Sequence, residues 1–307
     1  MKIIFMGTPD FAVPVLQGLI DNYEVILVVS QPDKKVGRHQ ELKETPIKEL
    51  ALKYNIPVFQ PAKIREDYEK IIDLKPDLIV TCAYGQIIPK EILNCPRLGC
   101  INVHASLLPK LRGGAPIHKA LIDGYDKTGI TIMYMDEKMD NGDIISTREI
   151  DILDSDNLES LHDKLSILGK ELLLDTLPSI IDGTNDRIKQ DESEVTFAYN
   201  IKREEEHIDF NKTSKEVFNL VRGLSPVPGA NVIIFDQEMK ILECKEYDKS
   251  SDTCGEIIEI TKEGIVVATK DSSVLITKVK PFGKKVMDAS SYVNGIGKDK
   301  LIGQVLK

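Results

Sequence analysis

Lys2-Ile3-Ile4-Phe5-Met6 runs straight into Gly7-Thr8-Pro9-Asp10, and the reading of this stretch decides the fold. The apolar run is a short buried strand, the glycine turn ends it, and an amphipathic pattern follows as far as Ile20. Working outward, the alternation recurs. Glu24-Val25-Ile26-Leu27-Val28-Val29-Ser30 reads as a second buried strand. Thr45-Pro46 starts a helix, with Thr as N-cap and Pro at the first helical position. Residues 64–74 read as helical, and residues 78–82 and 99–104 as further strands. Strands that are nearly all apolar and alternate with helices imply a parallel sheet covered on both faces, a doubly wound α/β domain. Residues 130–135 and 143–150 suggest a hairpin or edge pair around Met139-Asp140-Asn141-Gly142-Asp143. Leu161, Leu165, Leu168, Leu172 and Leu173 recur at helical spacing, so a long helix over 157–182 closes the domain.

The expected boundaries are 1–183 for this domain, 184–205 for a polar linker and 206–307 for a second domain. The second domain begins with a helix over 213–223. Short strands then follow over 230–235, 239–247, 255–260, 265–269 and 274–278. Few helices and many turns suggest a small β-barrel.

Composition narrows the class. The 307 residues carry a net charge of −9 with 42% hydrophobic and 29% charged side chains, the balance of an ordinary folded protein rather than a disordered one. No apolar run approaches a membrane span, and the first residues lack the h-region and cleavage site of a secretory signal. Five cysteines at irregular spacing fit a reduced, cytoplasmic protein. The acidic excess is uneven: residues 264–307 carry eight lysines against three acids, so this end can meet a polyanion or simply be solvated surface.

Gly7-Thr8-Pro9-Asp10 is not a dinucleotide fingerprint, and the chain holds no phosphate-binding GxxxxGK[ST] loop, which disfavours a nicotinamide enzyme. A doubly wound fold still binds ligands outside the carboxyl ends of its strands. Asn102-Val103-His104 stands at such an end. Residues two apart on a strand share a face, roughly 6.6 Å apart, so Asn102 and His104 point into one space. An amide donor beside an imidazole suits a reaction that develops negative charge on a carbonyl oxygen. Cys100 lies roughly 13 Å from His104 along a regular strand, too far for a nucleophile–base pair, and Cys95, Cys100 and His104 lack zinc spacing. The acids of Asp136-Glu137-Lys138-Met139-Asp140 lack the calcium-loop pattern, so no metal is expected. Asp140 reads as a turn residue or as a partner orienting His104, which spacing alone does not decide. The loop Gln31-Pro32-Asp33-Lys34-Lys35-Val36-Gly37-Arg38-His39 is either solvated surface or a reach toward phosphates. Lys278-Val279-Lys280-Pro281-Phe282-Gly283-Lys284-Lys285 sets four lysines around one aromatic, a patch permissive for nucleic acid.

Taken in order along the chain, Met6-Gly7-Thr8-Pro9-Asp10-Phe11-Ala12, Gln31-Pro32-Asp33, Ala83-Tyr84-Gly85 and Arg97-Leu98-Gly99-Cys100-Ile101-Asn102-Val103-His104 resemble the methionyl-tRNA formyltransferase family. Ser106-Leu107-Leu108-Pro109, Arg112-Gly113-Gly114-Ala115-Pro116-Ile117, Thr128-Gly129-Ile130-Thr131-Ile132-Met133 and Lys280-Pro281-Phe282-Gly283-Lys284-Lys285-Val286-Met287 extend the resemblance over essentially the whole chain. The Asn-x-His segment alone resembles the wider 10-formyltetrahydrofolate transferases, and the lysine-rich carboxyl-terminal motif separates members of that group. The resemblance implies a Rossmann-like formyltransferase domain followed by an OB-like barrel that binds tRNA. It implies transfer of a formyl group from 10-formyltetrahydrofolate to the methionyl amine of initiator tRNA in the cytoplasm, by a monomer. Asn102, His104 and Asp140 match the catalytic trio. Ser106, Leu107, Leu108 and Pro109 match the folate-binding segment, with Tyr84, Gln86, Ile87 and Ile88 bordering the pterin. Arg38, with Lys34 and Lys35, falls in the loop that engages the acceptor stem. Lys278, Lys280, Lys284 and Lys285 complete the expected tRNA contacts.

The chain departs from the resemblance at His39-Gln40-Glu41, where the family is more basic, and at Leu111 and Val227, where Trp is frequent. Two rivals remain: a formyltransferase for a small amine, against which the basic end argues, and a non-catalytic RNA-binding protein, against which Asn102, His104 and Asp140 together argue.

Overall fold

The computed structural model describes residues 1–36 and 40–307. These form two compact units. The first comprises Met1–Pro116, Lys127–Asp151 and His162–Tyr199; the second comprises Ile117–Asp126, Ile152–Leu161 and Asn200–Lys307.

The strands of the first unit are β1 (Lys2–Gly7), β2 (Glu24–Val29), β3 (Lys34–Val36), β4 (Glu41–Lys43), β5 (Val58–Phe59), β6 (Leu78–Cys82), β7 (Cys100–His104), β8 (Lys127–Tyr134) and β9 (Ile144–Asp151). Seven make one sheet in the order β5-β2-β1-β6-β7-β8-β9, while β3 and β4 form a separate hairpin. From β5 to β7 every pairing is parallel; β7-β8 and β8-β9 are antiparallel. The expected hairpin over 130–135 and 143–150 is thus the β8–β9 pair, and a direct turn can join only antiparallel neighbours. The chain moves outward from β1 through β2 to β5, then returns to β6 on the other side of β1. That reversal is the switch point where such sheets bind ligands.

Local chemistry accounts for the helices. The Thr45 hydroxyl accepts from the Lys48 amide and Pro46 occupies the first turn of Pro46–Lys53, as the sequence requires. The helix expected over 64–74 is confined to Glu69–Asp73; residues 64–67 form a turn and a bend instead, and the Ile64 amide donates to the Gln86 side chain at 2.8 Å. In Leu158–Asp182, Leu161, Leu165, Leu172 and Leu173 are buried, and Gly169 lies against Val103 of β7. That contact puts Val103 on the helix-covered face and leaves Asn102 and His104 on the other.

The second unit contains β10 (Ala230–Ile234), β11 (Gln237–Tyr247), β12 (Ile257–Ile260), β13 (Ile265–Ala268), β14 (Ser273–Pro281) and β15 (Met287–Asp288). The sheet is antiparallel in the order β10-β11-β14-β13-β12, with β15 on β14. Residues 304–307 bridge its two ends. Ile257 N donates to Gln304 O, Leu306 N to Gly255 O and Lys307 N to Ile233 O. Val232, Ile241, Val267, Ile276 and Val279 fill the core beneath Ser214–Leu224, whose start is a capping box between Thr213 and Glu216. The helices Ala289–Ile296 and Lys298–Leu301 carry too few turns to be legible from periodicity.

Candidate active site

Asn102 and His104 stand at the carboxyl end of β7, the edge at which β1, β2 and β6 also end, since Gly7 registers with Cys82 and Thr81 with Asn102. The hydroxyl of Thr81 donates to Asn102 Oδ1 at 2.8 Å. This turns the amide so that its NH2 group faces away from Thr81, and among the described residues Nδ2 has no hydrogen-bond partner. His104 is buried, and both ring nitrogens face acceptors: Nε2 lies 3.1 Å from the Leu111 carbonyl and Nδ1 3.6 Å from Asp140 Oδ1. Sequence spacing leaves the Asp140–His104 contact undecided; here the two side chains meet.

The loop 111–115 builds that meeting. Its Gly113 amide donates to Asp140 Oδ2 at 2.8 Å, leaving Oδ1 for the histidine. Asp140 itself has φ +50°, a left-handed conformation tolerated by Asx residues. Opposite His104 on β8, Thr131 accepts from the Leu108 amide at 3.1 Å and donates to the Ser106 carbonyl at 2.7 Å, pinning the segment after β7. Within that segment Ser106 and Leu108 are buried, and the Ser106 hydroxyl donates to Lys110 O. Leu107 and Pro109 are half-buried and offer surface.

A cavity of about 420 Å³ opens over the switch point, bordered by Thr8, Gln31, Lys34, Tyr84, Gly85 and Gln86. Thr8 Oγ1 and Gln31 Nε2 both donate to the Tyr84 carbonyl, at 3.0 and 3.1 Å, and Gln86 Nε2 donates to Gln31 Oε1 at 3.2 Å. Amides and hydroxyls beside one lysine, Lys34, in a volume of this size fit a small polar heterocycle. Among the described residues the buried Tyr84 hydroxyl has no hydrogen-bond partner, and burial pushes its pKa up to about 12. Ile88 is buried beneath the loop, while Ile87 is exposed. Cys100 is buried too, and burial pushes its thiol up, which suits a core residue rather than a nucleophile.

The basic positions differ among themselves. Arg38 lies outside the described residues. Lys34 and Lys35 are exposed on β3. Lys278 pairs with Glu243 at 3.0 Å, and its ammonium holds that carboxyl below the usual range. Lys280, Lys284 and Lys285 are exposed and carry no ion pair among the described residues; Phe282 between them is 72% exposed at the β14–β15 turn.

Reading the sequence alone passes over Gln190 altogether and treats Arg112 only as part of a motif. Arg112 is buried, and its guanidinium donates to Gln190 Oε1, Asn141 Oδ1 and Glu192 Oε1. The Arg-Gly-Gly context flags Arg112 as a loop anchor, whereas nothing around Gln190 sets it apart from other polar residues.

Residues 1–177 match the family model described as Formyl transferase, and residues 200–297 match Formyl transferase, C-terminal domain. The chain belongs to the formyl transferase family. It is 52% identical over 299 residues to the methionyl-tRNA formyltransferase of Bacillus subtilis (strain 168), covering 96% of this chain and 94% of that protein. At that identity and coverage its place within the family is with the methionyl-tRNA formyltransferases. Solved structures agree in fold. WlaRD, a sugar 3N-formyl transferase crystallised in the presence of dTDP and 5-N-formyl-THF, superposes with a TM-score of 0.70 at 21% identity, over 93% of this chain and 99% of that one. A variant of HypX from Aquifex aeolicus gives 0.67 at 17% identity, over 96% of this chain; the chain spans about half of HypX, 47%. Among the described residues no helix is long and apolar enough to cross a membrane, and no group of three metal-ligating side chains occurs.

Proposed function

We propose that this chain transfers the formyl group of 10-formyltetrahydrofolate to the α-amine of methionyl initiator tRNA. The observation that carries the reading is the convergence of the outward-facing Asn102 amide with the His104–Asp140 pair, 3.6 Å between Nδ1 and Oδ1, at the carboxyl edge of the sheet. The neutral amine attacks the formyl carbon, so a new C–N bond forms and negative charge gathers on the formyl oxygen. Asn102 Nδ2 donates to that oxygen. His104 becomes the second donor once the substrate displaces its contact with the Leu111 carbonyl. Asp140 orients His104 and assists passage of the amine proton to the departing folate nitrogen, whose bond to the formyl carbon breaks. No covalent acyl-enzyme is needed. Leu107 and Pro109 border the formyl donor, with Tyr84 and Gln86 alongside its pterin. The unpaired lysines at the β14–β15 turn supply phosphate contacts to the tRNA.

The test is formylation of charged initiator methionyl-tRNA, run beside elongator methionyl-tRNA and uncharged initiator. N-formylmethionine released from the charged initiator alone is the expected result. No product while the folate still binds would overturn the tRNA reading in favour of a small amine acceptor.

A further inference from the structure

We propose that Gln190 is a positioning residue for the reaction, acting through Asp140, on whose catalytic assignment this inference rests. The turn that carries Asp140 has no regular structure of its own, and Asp140 sits in the left-handed region at φ +50°. Something outside the turn must therefore hold its backbone so that the carboxylate reaches His104. Gln190 does so with every polar atom of its amide: Nε2 donates to the Asp140 carbonyl at 2.8 Å and to the Gly142 carbonyl at 2.9 Å, bracketing the turn. Oε1 accepts from Arg112 Nε at 3.0 Å and Nη2 at 2.9 Å. Arg112 is buried in the same loop that gives the Gly113 amide to Asp140 Oδ2 and the Leu111 carbonyl to His104. One side-chain amide thus ties the turn that carries Asp140 to the loop whose Gly113 amide holds the Asp140 carboxylate.

The segment bearing Gln190 is itself anchored on both sides. Ile188 exchanges backbone hydrogen bonds with Ile144 at 2.8 and 2.9 Å, which adds a short bridge at β9. Beyond it, Arg112 N donates to Thr196 O at 2.9 Å and Ala198 N to Arg112 O at 2.8 Å. A side chain held at both flanks and hydrogen-bonded at both its polar atoms has little freedom, which is what positioning of a catalytic group requires. Glutamine is chosen for its duality. A carboxylate in its place still accepts from Arg112 but cannot donate to two carbonyls, and it sets a negative charge against them.

The experiment is a kinetic cycle on the full chain with 10-formyltetrahydrofolate and methionyl initiator tRNA, using Gln190→Glu, Gln190→Ala, Asp140→Ala and the Gln190→Ala/Asp140→Ala double variant. Gln190→Glu preserves size and the Arg112 contacts, so it guards against a result caused by misfolding. The expected result is a fall in kcat of up to about 100-fold for both Gln190 variants with both KM values unchanged. In the Asp140→Ala background the second substitution then changes nothing further, because Gln190 has no carboxylate left to position. Wild-type kcat in Gln190→Glu, or losses that multiply in the double variant, overturns the proposal while leaving Asp140 in its role. Wild-type kcat in Asp140→Ala overturns both the proposal and the assignment beneath it.

Discussion

The carboxyl edge of the first unit and the β14–β15 turn of the second are both built from loops, yet they are organised oppositely. At the first, His104 is 5% exposed, and Asp140 and Arg112 have their polar atoms engaged by neighbours. At the second, Phe282 is 72% exposed and the flanking Lys280, Lys284 and Lys285 stand in solvent. Chemistry needs groups held within fractions of an ångström, which loops achieve only when other loops hold them. Phosphate recognition needs charge more than geometry, and a solvated lysine serves as a point charge on a flexible stem.

The comparison breaks most readily at the buried edge. Asn102→Ala or His104→Ala is expected to lower turnover roughly 10²–10⁴-fold with tRNA affinity retained. Rapid-quench formylation and a filter-binding titration on the same preparations measure the two quantities; wild-type-like turnover in either variant removes that residue from the mechanism. The lysines should do the reverse. Lys284→Ala and Lys285→Ala are each expected to flatten the plot of log affinity against log salt by about 0.7–0.9, leaving kcat at saturating tRNA unchanged. Lys278→Ala should flatten it less, because Glu243 already partners that ammonium. Equal slopes for all three would mean that the ion pair opens on binding.

The smallest effect concerns stability at the switch point. Burial holds the Tyr84 phenol protonated up to about pH 12, above the value of about 10 for an unfolded chain. Its contribution is fully present below pH 10 and is lost as the pH rises toward 12. Tyr84→Phe removes that alkaline loss. It also removes a buried hydroxyl that has no partner among the described residues, so the variant should be as stable as the parent or more so, by about 1 kcal/mol near neutral pH. Urea unfolding at pH 8 and pH 11 reads both; a Tyr84→Phe protein markedly less stable at pH 8 would show that the hydroxyl has a partner after all.

Much of the fold is legible in the amino-acid sequence. The apolar runs at β1, β2, β6 and β7, the Thr45-Pro46 helix start and the leucine spacing of the long helix are short-range signals, set by the chain's own periodicity. The shared face of Asn102 and His104 follows from strand geometry alone. By contrast, the helical pattern over 64–74 overstates the helix, which the structure confines to Glu69–Asp73 after a turn and a bend over 64–67. The short β3–β4 hairpin escapes a sequence reading, since three-residue strands carry almost no periodic signal.

By itself, then, the sequence determined an α/β sheet domain followed by a small domain of short β-strands, and the strand end that presents Asn102 and His104. Only the tertiary structure decided that Asp140 meets His104, that Thr81 turns the Asn102 amide outward, and that Arg112 and Gln190 hold the turn between them. The reason is range. Periodicity records which way a side chain faces within its own element, whereas a hydrogen bond between loops 50 residues apart in the chain leaves no periodic trace and exists only once the sheet has brought those loops to a common edge.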